Sequence, residues 1–221
     1  MSKNETLDLF WIAAAWLAYG LLHSTLASLR VKAWVARTAP TLFQYYRLIY
    51  NAIAVVAALP ILWLIKQADG PDLLHWSGPW HWLALSLSLA AGTGFIISLR
   101  AYDMREFVGL RQMHERSGDL REQAGFRISF FHRFVRHPWY FFALVILWTQ
   151  DMHAAMLVSA LALSAYFVIG TRFEEHKLIA AYGERYRRYM ARVPALLPLP
   201  WKFLTKEEAA QITDETSAAS R

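Results

Sequence analysis

What most constrains this 221-residue chain is an alternation in which long apolar stretches are separated in turn by connectors rich in basic residues and connectors without any. Residues 9 to 26 are almost wholly apolar and, at about 1.5 Å per residue, cover a hydrocarbon core of about 30 Å. Similar stretches follow, so the pattern predicts spans near 9–26, 45–65, 80–99, 138–148 and 152–170. The connector 29–44 holds Arg30, Lys32 and Arg37 with no acid, and 100–136 holds eight arginines against five acids. By contrast, 67–79 and 149–151 contain neither lysine nor arginine. Basic connectors stay on the cytoplasmic side, which sets the N-terminus outside and the C-terminus inside a bacterial inner membrane.

The expected fold class is therefore all-α integral membrane, with about five transmembrane helices plus a C-terminal amphipathic helix over 171–192. Residues 1–203 read as one membrane domain and 204–221 as a polar, flexible tail. The fourth span is short, so it either tilts into a thinned region or continues from a helix starting near Phe130. Pro60 sits where it can kink the second span, and Gly92-Thr93-Gly94 offers a close approach to another helix.

The chain is 56% hydrophobic and 18% charged with ten tryptophans, a departure from the soluble average toward membrane proteins. A net charge of +6 would suggest nucleic acid in a soluble protein, but basic residues here serve topology, so no nucleic-acid partner is expected. With no cysteine, disulfides, thiolate metal sites and cysteine nucleophiles are excluded, and no metal site is expected. Lys3, Glu5 and Asp8 before the first apolar stretch, with no clean cleavage pattern after it, make it a retained span.

Chemistry concentrates between Arg136 and Tyr189. Pro138 disfavours the α region for His137, which must sit at a bend or helix start, with Arg136 beside it as a cation suited to a carboxylate or developing anion. The alternative for this corner is an interfacial cap at the headgroups. Glu174 and Glu175 lie past the fifth span; helix neighbours point about 100° apart, so one faces inward, with Glu174 the candidate and Glu175 toward solvent. Tyr182, Tyr186 and Tyr189 form a stripe best suited to packing. His23 and Ser24, near the end of the first span, are a packing feature or a site.

The combination of RHPxY at 136–140, EExxL at 174–178, GxxYxxY at 183–189 and Val193-Pro194 resembles the C-terminal half of the isoprenylcysteine carboxyl methyltransferase and phospholipid methyltransferase superfamily. Phe107-Val108-Gly109-Leu110-Arg111-Gln112 is similar to a segment of its methanethiol S-methyltransferase branch. The resemblance implies that S-adenosyl-L-methionine binds from the cytoplasmic side to His137, Pro138, Trp139, Tyr140 and Glu174, with Gln112 as a further contact. His23-Ser24 with Val31-Lys32 also resembles NnrU-type and zeta-carotene isomerase relatives, some of which hold haem.

Two departures narrow the substrate. Isoprenylcysteine enzymes carry an arginine four residues before the first glutamate, where this chain has Gly170, with Arg172 nearer. His132 stands where the family commonly has tyrosine. The expected activity is methyl transfer to a small or lipid-soluble nucleophile, a thiol above all, with Arg136 or Arg172 favouring the thiolate and His132 or His137 taking its proton. The alternatives are a lipid or isoprenylcysteine methyltransferase, a haem-binding protein using His23 with His137 or His153, and a non-enzymatic scaffold. Expected partners are the acceptor and membrane lipids.

Overall fold

The computed structural model describes residues 3–68, 70–100, 103–115 and 126–214. In chain order the elements are α1 (Lys3–Leu26), α2 (Leu29–Thr38), α3 (Pro40–Phe43), α4 (Tyr46–Gln67), β1 (Asp72–Leu74), α5 (Pro79–Leu99), α6 (Met104–Val108), α7 (Leu110–Glu115), a 3-10 turn (Phe131–Arg133), α8 (Pro138–Trp148), β2 (Met152–His153), α9 (Ala154–Arg192) and α10 (Lys206–Asp214). Among the described residues four helices, α1, α4, α5 and α9, are long and apolar enough to cross a membrane, and α8 is a shorter apolar one. Their outward residues are large and apolar, among them Phe10, Leu17, Val55, Leu62, Leu89 and Ile96, as a lipid-facing surface requires. This is an all-α integral membrane protein.

The described residues form two compact units, one within Met1–His81, Tyr102–Gln123 and Gln150–Tyr166, the other within Trp82–Ala101, Ala124–Thr149 and Phe167–Arg221. In the first, α1 packs on α4. His23 joins the helices, its Nε2 lying 2.6 Å from the Tyr50 hydroxyl and its Nδ1 2.6 Å from that of Tyr166. The connector expected at 29–44 is helical, starting where the Ser28 hydroxyl accepts from the Val31 amide at 3.3 Å. Asp103 caps α6 by accepting from the Arg105 amide at 2.9 Å. Gly109 ends that helix at φ 100°, where an added Cβ would stand 2.8 Å from the Leu48 nitrogen. The two arginine-free loops meet: β1 pairs antiparallel with β2, and Asp151 accepts from the Trp76 amide at 2.8 Å and lies 3.1 Å from His75 Nδ1.

In the second unit α5 and α8 touch at Gly94, where an added Cβ would lie 2.6 Å from the Phe142 ring, so the close approach expected of this patch occurs. The core gathers Tyr186, Tyr189, Val193, Leu204 and Ala209, with Phe126, Leu178 and Tyr182 packed against it. The tyrosine stripe thus packs as expected.

Three expectations need correction. The fifth span does not end at Thr171: helix runs from Ala154 through that position to a kink at Gly183 (φ 57°, ψ −133°), beyond which a second helical stretch continues to Arg192, because helix-forming residues continue past the apolar stretch. The short fourth span does not extend back to Phe130, since only a 3-10 turn precedes it and His137 (φ −121°, ψ 72°) leaves helical geometry. The flexible tail expected from 204 is structured through 214. Thr205 and Glu208 form a reciprocal capping box (3.1 and 2.8 Å) that starts α10, and Leu204 and Ala209 are buried. Residues 215–221 lie outside the described residues.

Candidate active site

The site is built on the bend before α8. Pro138 supplies the first helical position and forces His137 into non-helical geometry, as the residue before a proline requires. The backbone of the bend is held by the segment just after α9: the Arg136 amide donates to the Pro194 carbonyl (2.9 Å) and the His137 amide to that of Ala195 (3.1 Å). The Tyr189 hydroxyl donates to the His132 carbonyl at 2.6 Å.

His137 is buried, with a carboxylate at each ring nitrogen: Nε2 lies 3.2 Å from Glu175 Oε1 and Nδ1 3.4 Å from Glu174 Oε2. Two acceptor-only partners favour the form of the ring that carries a proton on each nitrogen. Burial pulls its pKa down, but hydrogen bonds and charge from both carboxylates outweigh this and raise it above the ordinary histidine value. Its ring lies parallel to that of Tyr140 (centroids 5.5 Å, 8°), which stacks on Phe167 (4.8 Å, 7°). The Tyr140 hydroxyl also donates to Glu174 Oε2 at 3.3 Å.

The two glutamates are not oriented as expected. Glu175 is the buried one, its side chain 10% exposed, whereas that of Glu174 is 48% exposed. Glu175 Oε1 accepts from Arg136 Nε (2.7 Å) and lies 2.6 Å from Nη2, while Nη1 donates to the carbonyls of Met190 (3.0 Å) and Val193. Arg136 therefore locks the corner to the end of α9 rather than presenting its charge to a ligand.

Among the remaining residues singled out in the sequence, His132 is close enough to feel the charges of His137 and Glu174, and its Nδ1 lies 2.7 Å from the Ser129 hydroxyl. Burial first, and then the charge of His137, push its pKa to about 4, so it is neutral. Trp139 packs on Phe95 (5.7 Å) and Pro138 is fully buried. Arg172 is exposed on α9. Gln112 belongs to the other unit, where its amide nitrogen donates to the Glu106 carbonyl at 3.2 Å and its Oε1 is buried without a partner among the described residues. Glu175, Phe167 and Thr171 were missed. Thr171 is 3% exposed and its hydroxyl has no partner among the described residues, whereas Ser159, Ser164 and Thr149 each donate to the carbonyl four residues earlier. No sequence signal marks Thr171; the EE pair itself marked Glu175.

Fold and site together define the class: a helical membrane protein with a buried, charge-paired histidine corner next to an accessible carboxylate. Over 183 residues the chain is 31% identical to Methanethiol S-methyltransferase 2 of Bradyrhizobium diazoefficiens, covering 81% of this chain and 69% of that protein. It is 30% identical over 194 residues to Methanethiol S-methyltransferase of Mycobacterium tuberculosis (82% and 75% covered), and 30% over 192 residues to that of Pseudomonas deceptionensis (81% and 69%). The chain belongs to the methanethiol S-methyltransferase family, within the isoprenylcysteine carboxyl methyltransferase-like membrane proteins. No family model matches it, and no solved structure does.

Proposed function

We propose that this chain is an S-adenosylmethionine-dependent methyltransferase of the bacterial inner membrane that methylates a small, lipid-soluble thiol, methanethiol being the first candidate from its relatives' names. The observation that carries the site is His137 clamped between two carboxylates with Tyr140 at the second one. These residues fit the cofactor by their chemistry. The accessible Glu174 carboxylate with the Tyr140 hydroxyl suits an ammonium or ribose hydroxyls, a protonated His137 suits a carboxylate, and the Thr171 hydroxyl, without a partner among the described residues, lies one turn before Glu175. When bound, S-adenosylmethionine supplies an electrophilic methyl group on a sulfonium sulfur.

Methyl transfer needs an in-line approach of about 3–3.5 Å, so the protein contributes chiefly position and charge. His137, its pKa raised by the two carboxylates, favours a thiolate nearby. His132, neutral with its pKa held near 4, can only pass the thiol's proton on to water, and exposed Arg172 adds positive charge. Arg136 works by position, holding the bend through Glu175. Pro138 imposes the bend and Trp139 braces α8 against α5.

The N-terminus lies outside and the C-terminus in the cytoplasm, a topology supported by the meeting of the two arginine-free loops. The haem alternative would require one ring nitrogen of His23 to give up a tyrosine hydroxyl and, with His137, one of its nitrogens to give up a carboxylate; with His153, whose Nδ1 has no partner among the described residues, only the His23 contact is lost. Calorimetry with S-adenosylhomocysteine tests the proposal: the parent binds one equivalent and Glu174→Gln binds at least tenfold more weakly. A stoichiometric Soret band in protein that does not bind this ligand contradicts it.

A further inference from the structure

The segment between α9 and α10 carries an interaction surface independent of the reaction. Its ends are both hydrogen-bonded to the stretch 133–137. At one end the Pro194 and Ala195 carbonyls accept from the Arg136 and His137 amides; at the other the Leu204 amide donates to the Arg133 carbonyl (2.9 Å) and Arg133 Nε to the Leu204 carbonyl (2.9 Å). Between them the Lys202 amide donates to the Leu199 carbonyl at 3.0 Å, closing a turn with Pro200 and Trp201 at its middle positions.

This held turn projects apolar side chains outward. Trp201 is 74% exposed, more than any other large hydrophobic side chain among the described residues; Leu197 is 62% exposed, Phe203 42% and nearby Phe130 63%. The patch continues onto an apolar helix through ring contacts: Phe203 stacks on Phe134 (6.0 Å), Phe134 meets Phe130 (5.5 Å), Phe130 meets Phe131 (5.3 Å), and Phe131 meets Phe142 of α8 (5.1 Å). Cations border it. The Arg133 guanidinium lies over the Phe130 and Phe134 rings (5.9 and 5.5 Å), and Lys202 and Lys206 are exposed. A tryptophan-tipped patch edged by lysine and arginine and running onto a membrane helix matches the layer where headgroups meet acyl chains, which takes up indole rings and supplies phosphates for the cations.

We propose that the 197–203 turn is an interfacial anchor, with Trp201, Leu197, Phe203 and Phe130 seated in the headgroup layer of the chain's own bilayer and Lys202 on lipid phosphates. Because both ends of the segment are bonded to 133–137, the anchor fixes the depth of the His137 corner at the boundary between water and hydrocarbon. The absence of cysteine makes this directly measurable. Trp201→Cys and Leu197→Cys, with Gln211→Cys on the exposed side of α10 as the aqueous reference, are spin-labelled in the full chain. Each is reconstituted into vesicles of phosphatidylethanolamine and phosphatidylglycerol. The ratio of collisions with dissolved oxygen to collisions with a water-soluble nickel chelate should be several-fold higher at 201 and 197 than at 211. Leu197→Cys gives the reading even if Trp201→Cys does not fold. Equal nickel accessibility at all three positions would overturn the proposal. So would spin–spin broadening at 201 or 197 that disappears on dilution with unlabelled chain, because a second copy would then cover the patch.

Discussion

Replacing Glu175 by glutamine separates its work from that of Glu174. The buried Glu175 carboxylate faces Arg136 at 2.6 Å and His137 at 3.2 Å. Glutamine keeps the shape but removes the charge, leaving the buried Arg136 guanidinium without its carboxylate and His137 with Glu174 alone. Breaking a buried pair by removing one partner costs about 3–5 kcal/mol. At about 2–4 °C per kcal/mol for a chain of this size, the melting temperature should fall by about 10 °C. Glu174→Gln acts at a half-exposed carboxylate and should change stability by less than about 1 kcal/mol. It should instead lose about 1.5–3 kcal/mol of cofactor affinity, the range for a hydrogen bond to a charged group. Thermal unfolding followed by tryptophan fluorescence in detergent, with S-adenosylhomocysteine calorimetry on the same samples, reads both effects. The reasoning is refuted if Glu175→Gln melts with the parent, or if Glu174→Gln is the unstable variant and binds ligand normally.

Stability should also depend on pH through two histidines acting in opposite directions. His132, held near 4, is neutral in the fold while the unfolded chain binds a proton below about 6.5, so stability falls as pH drops from about 6.5 to 4. His137, raised, contributes stability that is complete below about 6.5 and is lost as pH climbs through its folded value. Melting curves of His132→Gln should lack the acid slope and those of His137→Gln the alkaline one; unchanged slopes would contradict the assignment. Gly94→Ala should destabilise by about 1–3 kcal/mol, because the Phe142 ring it meets is buried and packed on Phe131, whereas Gly92→Ala meets nothing and should be neutral; equal unfolding midpoints would remove the close contact. Leu73→Cys should label from outside intact cells and Gln211→Cys only after permeabilisation, and the reverse pattern would invert the topology.

The parts legible in the sequence were those set by local chemistry. Hydropathy alone placed α1, α4 and α5 to within a few residues outside the N-terminus of α1, and Pro138 by itself dictated the bend at His137. Gly94 announced a close approach because only glycine leaves room for the Phe142 ring. The orientation of the glutamates was not legible: one residue turns a helix by about 100°, and Glu175 is turned inward by its partners Arg136 and His137, distant in sequence. The continuity of α9 was hidden because hydropathy falls at Thr171 while helix propensity does not. The Thr205 to Glu208 capping box was visible and would have turned the expected tail into a helix.

The most direct measurement of the central claim is methyl transfer itself. Purified chain in lipid vesicles is supplied with methyl-labelled S-adenosylmethionine and methanethiol, and the headspace is assayed for labelled dimethyl sulfide. Labelled product should accumulate in proportion to enzyme, persist in Glu175→Gln below its melting temperature at reduced rate, and fall sharply in Glu174→Gln at limiting cofactor. Folded parent protein that binds S-adenosylhomocysteine yet forms no methylated product from methanethiol or longer alkyl thiols would contradict thiol methylation.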